Sequence, residues 1–201
     1  MKHLYLFFCL ALLSLSSNAQ TKAKTMELGN VISDSTSVNR ELGLKLGLAS
    51  INGSNSVIEI RLYSNIGFPG AECVVLQYDK TWTATKYKLD AKDAVVKSVF
   101  KPVGGVDPLV RSMIAFNLFS LPTQKSLNQG NYKLDLATNE VKASAITVSD
   151  APCYTVQFKV GNNSREYKYC DPKSYAAFYK RQHEYLDFAG ILKIVAKLEA
   201  K

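Results

Sequence analysis

The chain has 201 residues, 47% of them hydrophobic, with 25 Lys+Arg against 17 Asp+Glu and a formal net charge of +8. That length suits one domain able to bury an ordinary core without metals or a dense disulfide framework. The basic excess is scattered along strands and helix faces rather than gathered into a stripe, which argues against nucleic acid as a partner and leaves only weak attraction to an anionic surface.

The N-terminus reads as an export signal. Lys2 and His3 precede an apolar run from Leu4 to Leu15, and Ser17 and Ala19 supply the small side chains a signal peptidase requires, so residues 1–19 form a signal peptide cleaved between Ala19 and Gln20. The run falls short of the ~20 residues a permanent span needs, and Phe8 before Cys9 breaks the lipoprotein pattern. No later stretch is long and apolar enough to cross a bilayer. The processed chain is therefore expected in the periplasm or outside the cell, with no transmembrane segment. Cleavage removes Lys2 and Cys9, lowering the net charge from +8 to +7 and leaving Cys73, Cys153 and Cys170. In an oxidising compartment an odd count means one bridge and one free thiol, or an intermolecular bond.

Residues 20–40 are polar and aperiodic and read as a leader or linker; residues 41–201 read as a single α+β domain. From Arg40 to Ser50 the leucines at 42, 44, 46 and 48 alternate, with Gly43 and Gly47 between them, so a strand suits the segment at least as well as a short helix. After the turn cluster at Asn52–Ser56, Ile58, Ile60 and Leu62 alternate with Glu59, Arg61 and Tyr63 as in a half-buried strand. A strand follows at Glu72–Tyr78. A turn over Asp79–Thr81 would set Tyr78 opposite Trp82 and Leu76 opposite Ala84, an aromatic cross-strand pair. Strands at Trp82–Leu89 and Ala94–Lys101 complete an antiparallel meander.

Asp107-Pro108 offers an N-cap with proline at the first helical position. The helix it opens carries Leu109, Met113 and Phe116 on one face with Val110 and Ile114 beside them, a stripe that reads as core packing. Thr123 to Gly130 has the composition of a loop. A strand around Tyr132–Leu136 turns at Thr138-Asn139 into a weaker one near Ala145–Val148.

The last fifty residues are the most legible. Tyr154, Val156, Phe158 and Val160 alternate with Thr155, Gln157 and Lys159, and Gly161-Asn162 forms a two-residue turn. That register places Tyr154 opposite Tyr169, Val156 opposite Tyr167, Gln157 opposite Glu166 and Cys153 opposite Cys170. A turn at Asn162-Asn163 keeps the faces and pairs Lys159 with Glu166, but moves Cys170 opposite Thr155, so the disulfide reports the register. Asp171-Pro172 repeats the cap signature, residues 173–182 read as irregular, and Phe188, Ile191, Leu192, Val195 and Leu198 recur at helical spacing. The fold class is α+β: an antiparallel sheet, made of the meander and the C-terminal hairpin, packed by a middle and a C-terminal helix.

The spacing Tyr154-x-Val-x-Phe, a glycine turn, Arg165-x-Tyr-x-Tyr169-x-x-Pro172 and a closing amphipathic helix, with the strands Ile58–Tyr63 and Trp82–Thr85, resembles small secreted or periplasmic proteins of Gram-negative bacteria that have no assigned activity. The resemblance covers most of the processed chain. It implies a secreted α+β domain and carries over no catalytic or binding residue.

His183 is the only histidine left after processing, which excludes multi-histidine metal sites and makes it the only histidine base for a Cys73 nucleophile if Cys153 and Cys170 are bridged. No nucleophile elbow accompanies either residue. Asp90, Asp93, Glu140 and Asp150 fall at strand ends, where a carboxylate pair for hydrolysis competes with an ordinary turn role. Asn52-Gly53-Ser54 and Asn162-Asn163-Ser164 match the glycosylation sequon but sit at turns. Tyr175, Phe178, Tyr179, His183 and Tyr185 gather before and inside the last helix as a candidate interaction surface, though a helix docking on a sheet buries such rings too. The expectation is a non-enzymatic binding or envelope-structural module with no metal or cofactor, its partner an envelope protein or anionic surface. The competing reading is a hydrolase using Cys73 with His183, or a carboxylate pair.

Overall fold

The structure, a computed structural model, describes residues 37–66, 69–129, 132–143, 146, 151–180 and 182–199. The expected signal peptide at 1–19, residues 20–36 of the expected leader, Asp150 and most of the strand expected near Ala145–Val148 lie outside the described residues.

The meander forms as its alternation predicts: β1 Ile58–Ser64, β2 Glu72–Tyr78, β3 Trp82–Leu89 and β4 Val95–Phe100. Tyr78 pairs with Trp82 and Leu76 with Ala84, and the two aromatic rings lie 5.2 Å apart. After a short hairpin, β5 Tyr132–Asp135 and β6 Glu140–Ala143, the chain returns as β7 Cys153–Val160 and β8 Asn163–Cys170. The register of that last hairpin turns at Gly161-Asn162, with Gln157 opposite Glu166 and Cys153 opposite Cys170. A disulfide joins the two cysteines.

β7 pairs antiparallel with β1, which joins the hairpin to the meander in one six-stranded antiparallel sheet of order β4-β3-β2-β1-β7-β8. β1 is therefore central, and both its faces are buried. Ile60, Leu62, Leu76, Val156, Phe158, Tyr167 and Tyr169 point to one side, where they meet Val110 and Met113 of α2 Asp107–Ala115 and Phe188, Ile191, Ile194 and Leu198 of α5 His183–Glu199. On the other side Tyr63, Cys73, Val75 and Leu89 meet Leu42 and Leu46 of α1 Ser37–Lys45.

α1 decides between the two readings of Arg40–Ser50. Leu42 and Leu46 stand four apart and share the buried face, while Leu44 is 66% exposed. Gly47 takes φ +70, so that its N–H bonds Leu44 O and that of Leu48 bonds Gly43 O, the paired bonds that close a helix C-terminus. The alternation of leucines reflects a helix with one stripe down and one out.

Other departures have local causes. α2 begins at Asp107 itself, with Val106 as a cap that has no side-chain bond; Asp107 accepts instead from Arg111 Nε at 2.6 Å, one turn on. Residues 124–129 form a short helix, α3, where composition reads as loop. Its amides are engaged tertiarily: the Gln124 side chain accepts from Cys170 N at 2.7 Å and donates to Cys170 O at 3.2 Å, and Gln182 donates to Leu127 O at 3.1 Å. The strand pairing with β5 is β6, closer to the turn at Asn139 than the expected 145–148. Asp171 caps α4 Pro172–Phe178 as its spacing predicts, accepting from Ser174 N at 3.3 Å, so the stretch before α5 is partly helical.

Candidate ligand cleft

The face of the sheet under α1 divides in two. Toward β2 and β3 it is apolar, and toward β7 and β8 it carries Glu59, Arg61, Tyr63, Gln157 and Glu166. α1 and the segment 48–52 overhang this polar half without filling it, leaving a cleft of about 710 Å³. Leu44, Leu48 and Ile51 form its apolar wall, and Arg61, Tyr63, Gln157 and Glu166 its floor. Gly43 faces the floor, where a Cβ would make ordinary van der Waals contact with the Tyr63 hydroxyl at 3.4 Å.

Sheet register builds the floor. Arg61 stands opposite Gln157 on β7, and Gln157 opposite Glu166 on β8, so the three share one row across three strands. Glu59, one row below, is 1% exposed and Arg61 4% exposed, and Arg61 Nε donates to Glu59 Oε1 at 2.5 Å. Arg61 Nη1 donates to Ala49 O at 2.7 Å, which ties the overhanging segment to the floor. Glu59 Oε2 accepts from the Ser54 hydroxyl and from Gln77 Nε2, the latter at 2.9 Å. Lys159 donates to Ser54 O. Gln157 Nε2 donates to Glu166 Oε2 at 2.5 Å, and Glu166 is 7% exposed.

The electrostatics follow from this wiring. Burial alone would raise the Glu59 carboxyl, but the bonds from Ser54 and Gln77 and the charge of Arg61 outweigh it and hold the group below its usual 4.5. Burial opposes the charge of Arg61, and its contacts with Tyr63 and Glu59 more than restore it. Burial pushes the Tyr63 phenol up, with Cys73 adding to the rise and Arg61 opposing it. The floor thus presents a fixed guanidinium, a neutral phenol, an amide and a buried Glu166 carboxyl group, positioned by strands rather than loops.

The residues singled out from sequence are dispersed. Cys73 is 0% exposed on the α1 face of β2, and burial drives its thiol far above the usual range, Arg61 and Tyr63 offsetting only part of this. His183 is exposed at the start of α5, on the opposite side of the sheet, so the structure does not bring the two together. His183 lines a smaller hollow of about 270 Å³ beside Asn117 and Asp187, whose side chains bond each other at 2.8 Å. Asp90 accepts from Lys92 N and Ala94 N in the β3–β4 turn, Asp93 takes φ +58 there, and Glu140 opens the distant β6.

The aromatic group divides between core and surface. Tyr185 is fully buried and Tyr179 nearly so, Tyr175 is half-buried, and Phe178 is 49% exposed. Tyr169 stacks on Phe188 at 4.5 Å and meets Tyr185 edge-on at 5.7 Å. The tyrosine hydroxyls act as pegs for the chain beyond α2, through α3: Tyr167 donates to Leu118 O, Tyr169 to Pro122 O and Tyr185 to Asn128 Oδ1, each at 2.8 Å.

Sequence reasoning missed the cleft because Glu59, Arg61 and Gln157 read as the solvent side of amphipathic strands. One signal was present: Gln157 opposite Glu166 put two long polar side chains side by side on a face that also carries Arg61. Among the described residues no helix is long and apolar enough to cross a membrane. Comparison with protein-family models, curated proteins and solved structures gives no match.

Proposed function

We propose that the chain is an exported, non-enzymatic binding module of the cell envelope and that the α1 cleft is its ligand site. The observation that carries this is the cleft itself: about 710 Å³, within the roughly 300–1,000 Å³ usual for small-ligand sites, with an apolar wall and a few convergent polar groups held by a buried network. Export is supported by the leader-like residues 1–19 and agrees with a disulfide between Cys153 and Cys170. Hydrolysis by Cys73 and His183 is not adopted, because a buried, protonated thiol and a histidine across the sheet do not form a nucleophile and its base. A backbone-amide NMR titration with a library of small amphipathic fragments tests the site. Shifts should cluster at Leu44, Leu48, Ile51, Tyr63 and Gln157 and vanish in Leu44→Trp, which fills the cleft from an exposed position. Binding confined to other surfaces, or none, refutes the reading.

A further inference from the structure

We propose that β4, at one edge of the main sheet, pairs antiparallel with β4 of a second copy of this chain about a two-fold axis at Ser98, giving a closed dimer with one sheet continuous across both copies. The two edges of the sheet are treated differently. At the β8 edge, Cys170 N donates to Gln124 Oε1 at 2.7 Å and Cys170 O accepts from Gln124 Nε2 at 3.2 Å. Arg165 and Tyr167 donate to the carbonyls of Phe119, Leu121 and Leu118, so the segment 118–124 covers that edge. Among the described residues β4 pairs with β3 alone. Val95, Val96 and Val99 are exposed, as is Val103 in the turn that follows. An uncovered apolar edge strand is a template for another strand.

The phase of the ladder shows which backbone groups are open. Asp90 N donates to Ala94 O at 2.9 Å, so Val96, Ser98 and Phe100 direct their N–H and C=O groups to β3, and Val95, Lys97 and Val99 direct theirs outward. A two-fold axis normal to the sheet keeps each face continuous and leaves open only which residue sits on the axis. Centring on Lys97 sets that lysine against its own copy, and centring on Val99 sets Lys97 against Lys101. Centring on Val96 sets Val99 against Asp93, whose φ of +58 ends the extended backbone, and leaves Phe100 unpaired. Centring on Ser98 pairs all 6 residues of β4 without opposing lysines. Val96 then meets Phe100 of the second copy on the face that packs the main core, and Lys97 meets Val99 of the second copy on the other. Lys97 already lies over the Tyr87 ring, 5.5 Å from its centroid, which holds its charge on the sheet face rather than beyond the edge. Because the β8 edge is covered, self-pairing consumes the open edge of each main sheet, and assembly stops at the dimer.

Sedimentation velocity over a concentration series tests the pairing. The native protein should pass from monomer to dimer and no further. Val99→Lys, at an exposed position, sets a lysine opposite Lys97 at two symmetric places and should weaken the dimer about tenfold, as expected for two like-charge cross-strand pairs. Ser98→Cys reads the register. The axis puts the two copies of this residue in a non-hydrogen-bonded pair, with Cα atoms about 4.5 Å apart and within disulfide reach, so mild oxidation should give a covalent dimer. Val96→Cys, which faces Phe100 instead, should give none. A protein that stays monomeric at every concentration overturns the proposal and leaves the edge to a strand of another protein. A dimer that Val99→Lys leaves unchanged, or that Ser98→Cys fails to cross-link, overturns it as well, because the contact between copies then lies elsewhere.

Discussion

Replacing Arg61 by methionine removes the guanidinium while keeping most of its volume, and leaves Glu59 buried at 1% exposure with only the Ser54 hydroxyl and Gln77 as donors. Breaking one side of a buried pair costs about 3–5 kcal/mol. Glu59 has an escape in protonation, which from its usual 4.5 costs about 3.4 kcal/mol at pH 7 and about 0.7 at pH 5, at about 1.36 kcal/mol per pH unit. The deficit of Arg61→Met should therefore be about 3 kcal/mol at pH 7 and shrink toward about 1 kcal/mol at pH 5. In the native protein the Glu59 pKa is lowered, so its contribution is fully present above 4.5 and fades only as pH falls through the folded value. Over pH 5 to 7 the native reference is flat in this group, and the narrowing belongs to the variant, whose unpaired Glu59 is raised. Urea unfolding followed by circular dichroism at pH 5, 6 and 7 measures it, with Glu59→Gln/Arg61→Met as a control whose deficit should not vary with pH. A deficit below about 1 kcal/mol at pH 7, or one independent of pH, would show that the pair does not organise the cleft floor.

Three further outcomes are expected. Gly190→Ala should lower the thermal midpoint although helix propensity alone favours it by about 1 kcal/mol, because the new Cβ would lie 2.7 Å from the Phe116 ring; in a Phe116→Ala background it should raise the midpoint, and a rise in both backgrounds refutes the clash. Removing the disulfide as Cys153→Ser/Cys170→Ser, a bridge of sequence separation 17, should cost about 3 kcal/mol in urea unfolding, and a non-reduced peptide map showing Cys73 bridged would overturn the assignment. Cys73, buried and with its thiol raised, should resist iodoacetamide near pH 6 until denaturant is added; fast native labelling would mean that α1 does not seal that face.

The strands were legible because each needs only its neighbours in sequence to declare itself. β2 and β3 match their expected bounds, and the last hairpin takes the one of its two expected registers that pairs the two cysteines. The last helix was legible from a stripe recurring at helical spacing, Phe188 to Leu198, whereas α4 follows the legible cap at Asp171 in a stretch that reads as irregular. Helices were obscured where the stabilising contacts are remote: α3 depends on the backbone of Cys170, and α1 on a sheet face that local pattern cannot reveal. The aromatic cluster was visible as a cluster, but its division into the buried Tyr185 and the half-exposed Phe178 depends on how α4 and α5 meet the sheet.

By itself the sequence determined the strand alternation and the antiparallel α+β class and narrowed the last hairpin to two registers, of which the structure has the one that pairs Cys153 with Cys170, since alternation and turns arise from period-two burial and short-range geometry. Only the tertiary structure decided that β7 closes on β1 after a long excursion. That pairing puts Arg61, Gln157 and Glu166 in one row and α1 over them. The physical reason is that a side chain on the outward face of a strand is solvated or buried according to what packs there, and for β1 the cover is supplied by a helix from one end of the domain and a hairpin from the other.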